Sequence, residues 1–210
     1  MVSIFRPNPS NINELKFNIM AKNQEIRNIT NQIKRSDQES RIVEGLAVVF
    51  NSESRDMGFV ETIDKDAISE ETIKNSDIFA TLDHDKSRGI LARSRYGEGT
   101  LKLELREDGL HYSFEAPHTQ LGDELLEYLT RGEITTSSFA FVVDKNNGDE
   151  WYRGKDGTIR RNIKKIHRLY DVSPVFEPAY EATDCAKRKF DEISTIDEKL
   201  DNLKSHFENI

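Results

Sequence analysis

The chain has 210 residues, a formal net charge of −8, 36% hydrophobic and 32% charged side chains, and one cysteine, Cys185. That length suits one ordinary domain with extensions. The acidic balance argues against nucleic acid as the main ligand, because phosphate neutralisation dominates that affinity, and the lone cysteine excludes an internal disulfide and fits a reducing compartment. No apolar run approaches the ~20 residues of a membrane span, and the first residues hold no signal-peptide apolar core. Without CxxC or HExxH spacing, no metal or other cofactor is expected.

Residues 1–40 are rich in Asn, Gln, Ser and charge, with six Lys/Arg against four Asp/Glu. Ile26, Ile29 and Ile33 would line one stripe of a polar helix over Asn23–Arg35; the alternative is a disordered arm. In either case the segment is expected outside the compact core, which is placed at 41–182. Ile42–Phe50 is a strong strand. Asp64–Asn75 reads as a short helix capped by Asp64 or Asp66. Ile78–Leu82 is a buried strand running directly into His84.

Short strands follow at Ile90–Ser94, Thr100–Arg106 and Leu110–Ala116, with a hairpin turn at Glu107-Asp108-Gly109. Leu121–Thr130 is the clearest core helix, and Gly132 sits where a C-terminal cap belongs. Thr135–Val143 is a strand containing Ser138. Residues 145–158 read as a loop, and Ile159–Val172 as one or two strands reaching Asp171. Over 183–210 the spacing of Phe190, Ile193, Ile196, Leu200, Leu203 and Phe207 predicts a charged helix with a near-heptad seam for a partner. Many short strands and few helices predict an α+β, mainly β fold: a closed or nearly closed antiparallel barrel decorated by helices.

Three polar residues interrupt apolar strands: His84, Ser138 and Asp171. A hydroxyl is a weak nucleophile until a base takes its proton, and the base works better when a carboxylate orients it. Spacing alone says only that the three lie on different strands. Ser137 is the alternative nucleophile, but adjacent strand residues face opposite sides, so one of the two serines can meet His84. If Asp171 is not beside His84, Asp83, Asp85 or Glu177 takes the third place. Arg160 and Arg161 are candidates for an oxyanion donor, the plainer reading being exposed basic residues. No Gly-x-Ser-x-Gly elbow supports a free-standing esterase.

Six ordered motifs carry a resemblance. They are Val43-Glu44-Gly45-Leu46-Ala47-Val48-Val49-Phe50-Asn51, Leu82-Asp83-His84-Asp85, Gly89-Ile90-Leu91-Ala92, Gly109-Leu110-His111-Tyr112, Gly132-Glu133-Ile134 with Ser137-Ser138-Phe139-Ala140-Phe141, and Asp171-Val172-Ser173-Pro174-Val175 with Pro178-Ala179-Tyr180. Over about 42–180 the chain resembles the prohead proteases of tailed bacteriophages, which mature the capsid and are related in fold to herpesvirus assembly proteases. The resemblance implies a serine endopeptidase barrel with His84 as base, Ser138 as nucleophile and Asp171 as the orienting acid. Ala140 stands where glycine is frequent and Asp171 where glutamate is usual. The implied substrates are major capsid protein and scaffold segments, and the chain itself, within a prohead assembling in the cytoplasm of a bacterial host, with self-association a further expectation. The alternative is a non-catalytic assembly protein that binds capsid protein through its C-terminal helix.

Overall fold

The computed structural model describes residues 24–30, 33–37 and 39–176, with positions 186, 190, 191 and 195. The strands are β1 (Glu25–Ile29), β2 (Ile33–Arg35), β3 (Ile42–Val49), β4 (Val60–Ile63), β5 (Asp77–Ala80), β6 (Ala92–Arg95), β7 (Glu98–Gly99), β8 (Lys102–Leu105), β9 (Gly109–Glu115), β10 (Thr136–Val143), β11 (Asp149–Arg153), β12 (Ile159–Ile163) and β13 (Ile166–Val175). Two α-helices interrupt them, α1 (Glu70–Lys74) and α2 (Gln120–Arg131). The expected mainly β composition is present.

The expected closed antiparallel barrel is not. The strands form three separate sheets, ordered β1-β10-β13-β5-β6-β7, β2-β3-β9-β8 and β11-β12-β4. Closure needs the two edge strands of one sheet to pair, and here β1 and β7 remain opposite edges. The chain instead turns a corner between β7 and β8, which are close in sequence yet belong to different sheets. Gly99 makes that corner at φ +141, with a built Cβ only 2.1 Å from the Arg93 carbonyl oxygen, so no other residue fits there. Two pairings, β12 with β4 and β13 with β5, are parallel.

At the centre, β10 is buried on seven of its eight positions, as a strand covered on both faces must be. Phe139, Phe141, Leu125, Ile134, Ile166 and Leu169 are among the largest fully buried side chains of the core. Helix α2 begins where the Thr119 hydroxyl accepts from Gly122 N and ends at Gly132, left-handed at φ 73, as the sequence predicts. The helix expected over 64–75 shrinks to α1, because the capping box of Ser69 and Thr72 starts it there.

The N-terminal expectation also fails where residues are described. Glu25–Ile29 is a strand on β10, not a polar helix or an arm outside the core, and β2 joins β3. The reason is a buried ionic cluster. Arg27 grips Glu61 through two hydrogen bonds of 2.7 Å and reaches Glu25 at 2.9 Å. Arg161 contacts Glu25 at 2.6 and 2.8 Å, Glu61 at 2.9 Å and Asp149 at 2.9 Å. The cluster joins β1, β4, β11 and β12. Burial opposes charge on Glu25, but hydrogen bonds and charge from Arg161, then Arg27, outweigh it and hold its carboxyl below the usual range.

The expected C-terminal helix at 183–210 lies outside the described residues apart from four positions. Two of these, Ala186 and Phe190, pack with Phe59, Ile159 and Trp151, and the Phe190 ring lies 6.0 Å from Phe59. This first member of the expected partner-facing seam therefore packs on its own chain.

Removing one partner of a buried ion cluster leaves charge uncompensated. Arg161→Ala is expected to lower the unfolding free energy by about 3–5 kcal/mol in urea titrations at neutral pH. The contribution of Glu25 is present above its unfolded value of 4.5 and is lost as pH falls through its lower folded value. The gap between wild type and variant should therefore narrow in acid.

Candidate active site

The β10–β13 ladder sets the site. Ser138 stands opposite Ser173, and Ala140 opposite Asp171. Since side chains alternate along a strand and paired residues share a face, Ser138, Asp171 and Ser173 lie on one side of the sheet. Ser137 points the other way, with its hydroxyl 2.8 Å from that of Tyr112 on β9. Burial pushes the Tyr112 phenol well above its ordinary value, so it stays neutral. Tyr112 lies across Gly45 of β3, where a built Cβ would come within 2.3 Å of its ring.

His84 arrives from a tight turn. Asp85 N donates to the Leu82 carbonyl at 3.1 Å, and the two central residues, Asp83 and His84, have φ of 58 and 59. Positive φ at both central positions is the type I′ pattern, usually filled by Asn, Asp or Gly. A histidine there is strained, and such strain persists only where surrounding contacts enforce it. One of those contacts is visible: Asp83 N donates to the Pro174 carbonyl at 2.9 Å, tying the turn to β13. Asp85 is occupied as a local cap, accepting from the Ser87 hydroxyl and amide, which hold its carboxyl below the usual range.

The three residues singled out in the sequence come together. His84 Nε2 lies 2.6 Å from Ser138 Oγ, and His84 Nδ1 lies 2.8 Å from Asp171 Oδ1. The second approach is at ion-pair distance but off-line, for Oδ1 receives no hydrogen bond of good angle. Such alignments tighten when substrate binds. The shorter aspartate still reaches because the turn is drawn onto its strand. Ser138 is 0% exposed, whereas the His84 side chain is 25% exposed, so solvent meets the site at the imidazole.

The Ser138 hydroxyl has a second acceptor, the Arg27 carbonyl of β1 at 3.1 Å. It has one proton to give. With the His84 proton on Nδ1 facing Asp171, Nε2 is an acceptor and the shorter contact receives that proton. Thus β1, read from sequence as outside the core, forms one wall of the site. Its charges sit on the opposite face, which is why composition gave no hint of this role.

Two further residues escaped sequence reading. Thr81 Oγ1 lies 3.3 Å from Asp171 Oδ2 and 3.0 Å from Ser173 Oγ. Both belong to segments already notable for His84 and Asp171, so position within those segments was the available signal. The arginines considered for an oxyanion site are committed elsewhere. Arg161 is buried in the ionic cluster, and Arg160 pairs with Glu53 and Asp156. Glu177, an alternative acid, lies outside the described residues. Among the described residues, no group of three or more His, Cys, Asp or Glu side chains is arranged to hold a metal ion.

A family model described as caudovirus prohead serine protease matches residues 27–196. Among solved structures, the capsid assembly protease of bacteriophage T4 is similar at a TM-score of 0.44 and 10% identity, over 73% of this chain and 98% of that one. No curated protein matches the sequence.

The left-handed turn is testable by itself. Asp83→Val puts a β-branched residue at φ 58 and is expected to destabilise by about 1–2 kcal/mol. Asp83→Gly should retain wild-type stability to within about 1 kcal/mol. Chemical denaturation of the two variants checks the difference.

Proposed function

The chain belongs to the caudovirus prohead serine protease family, whose work is capsid maturation, and we propose that it is an active endopeptidase with Ser138 as nucleophile, His84 as general base and Asp171 as the carboxylate that orients His84. The observation that carries this reading is the approach of Ser138 Oγ to His84 Nε2 at 2.6 Å with Asp171 Oδ1 2.8 Å from the other ring nitrogen.

The chemistry follows from those contacts. Ser138 Oγ attacks the carbonyl carbon of the scissile peptide while its proton passes to His84 Nε2. Asp171 stabilises the resulting imidazolium across Nδ1. Collapse of the tetrahedral intermediate breaks the C–N bond, and Nε2–H protonates the departing amine. Water then attacks the acyl-enzyme, with His84 again taking a proton, and Ser138 is restored. Donors for the oxyanion are required by this scheme, since each is worth about 10²–10³ in rate.

The substrates are segments of capsid or scaffold protein, and of the chain itself, cut inside the assembling prohead in the host cytoplasm. Self-association belongs to the same reading. The burial of Ser138 favours a second reading, an assembly protein that keeps the fold without turning over substrate. The two differ in one measurement. Co-expressed with its capsid protein, the wild-type chain is expected to yield a truncated capsid protein by intact mass. Ser138→Ala and His84→Ala should lower that processing by a factor on the order of 10⁴ or more. Identical capsid masses with wild type and Ser138→Ala would leave the assembly-protein reading standing.

A further inference from the structure

We propose that Thr81 and Ser173 are positioning residues that hold the Asp171 carboxylate with Oδ1 turned toward His84. The inference rests on the catalytic reading of Ser138, His84 and Asp171.

Thr81 directly follows β5, and Ser173 lies two residues beyond Asp171 on the same face of β13. Both are 0% exposed. Thr81 N donates to Ser173 Oγ at 2.9 Å. Thr81 Oγ1 is 3.0 Å from Ser173 Oγ and 3.3 Å from Asp171 Oδ2. The direction of this chain follows from counting protons. An ionised carboxylate accepts only, so the Thr81 hydroxyl proton goes to Asp171 Oδ2. The contact between the two hydroxyls must then be donated by Ser173. Its oxygen in turn accepts from Thr81 N. Each donor has one acceptor, and the set closes on Oδ2.

The arrangement answers a need visible at the other oxygen. A carboxylate turns easily about its last bond, and Oδ1 meets His84 off-line. His84 alone therefore does not align Asp171. The Thr81 hydroxyl restrains that rotation from behind. Burial of two hydroxyls beside a carboxylate is costly unless all are satisfied, and a purely packing role would be met as well by Val and Ala.

The test compares wild type with Thr81→Val, Thr81→Ser and Ser173→Ala. The probe is an alkyl fluorophosphonate, whose bond to Ser138 is followed by intact mass over a range of pH, with melting temperature recorded for each variant. Thr81→Val, which keeps shape and loses the hydroxyl, is expected to slow labelling about tenfold, the scale of one hydrogen bond to a charged group. Thr81→Ser should stay within about twofold of wild type although it loses a methyl. Ser173→Ala should fall between them.

The pH midpoint of labelling should move in Thr81→Val, because the carboxylate facing the imidazole is then held differently. Asp83 and Asp85 flank His84 in its turn and Tyr112 interacts with Asp171 through charge from the other face of the sheet, and the substitution leaves all three in place. Wild-type rate and midpoint in Thr81→Val would overturn the proposal. So would equal losses in Thr81→Val and Thr81→Ser that follow melting temperature with the midpoint unchanged. Absence of adduct at Ser138 in the wild-type chain would instead overturn the catalytic reading on which the proposal rests.

Discussion

The register of β10 against β13 is the constraint on which the site depends. It puts Ser138 across from Ser173 and Asp171 across from Ala140, so the Ser138 hydroxyl and the Asp171 carboxylate share one face without any loop having to order them. A slip of one residue would send Ser138 into the core and bring Ser137 forward. The register is guarded by what lies on the opposite face. Phe139 and Phe141 are buried there with ring centroids 4.9 Å apart, and Ser137 is tied to Tyr112. The apolar face thus selects the registry from which the polar face benefits.

Against that rigid ladder, His84 is held by a small strained element. The two left-handed residues of its turn are unfavourable in isolation. Their position is determined by short connections to β13, through Asp83 N to Pro174 and through Thr81 to Ser173 and Asp171. The turn that carries His84 and the Asp171 carboxylate are therefore attached to the same strand. The turn thus brings His84 Nδ1 within 2.8 Å of Asp171 Oδ1 although an aspartate side chain is short.

The ionic cluster performs a comparable service at the other edge. Glu25, Arg27, Glu61, Asp149 and Arg161 come from four strands and tie β1, which pairs with β10, to β4, β11 and β12. The Arg27 carbonyl thereby becomes a neighbour of Ser138. Buried ion pairs are weak evidence for net stability, but losing one partner is severe. The cluster is best understood as specifying where β1 lies.

Legibility in the sequence followed locality. The strand at Ile42, helix α2 with its Gly132 cap, and the strand carrying Ser138 depend on periodicity and capping within a few residues, and these were readable. Strands β1, β4 and β11 were not, because their charged residues look solvent-facing until partners from distant strands neutralise them. A barrel was inferred from the number of short strands. Whether edges meet depends on corners such as Gly99, which a list of strands does not contain. His84, Ser138 and Asp171 could be nominated from residue type, strand context and family resemblance. The tie of Ser137 to Tyr112 on the other face, the recruitment of Thr81, Ser173 and β1, and the burial of Arg161 away from the site were decided only in three dimensions. The physical reason is that each depends on a contact across 25 or more positions of chain, and sequence adjacency carries no distance information over that range.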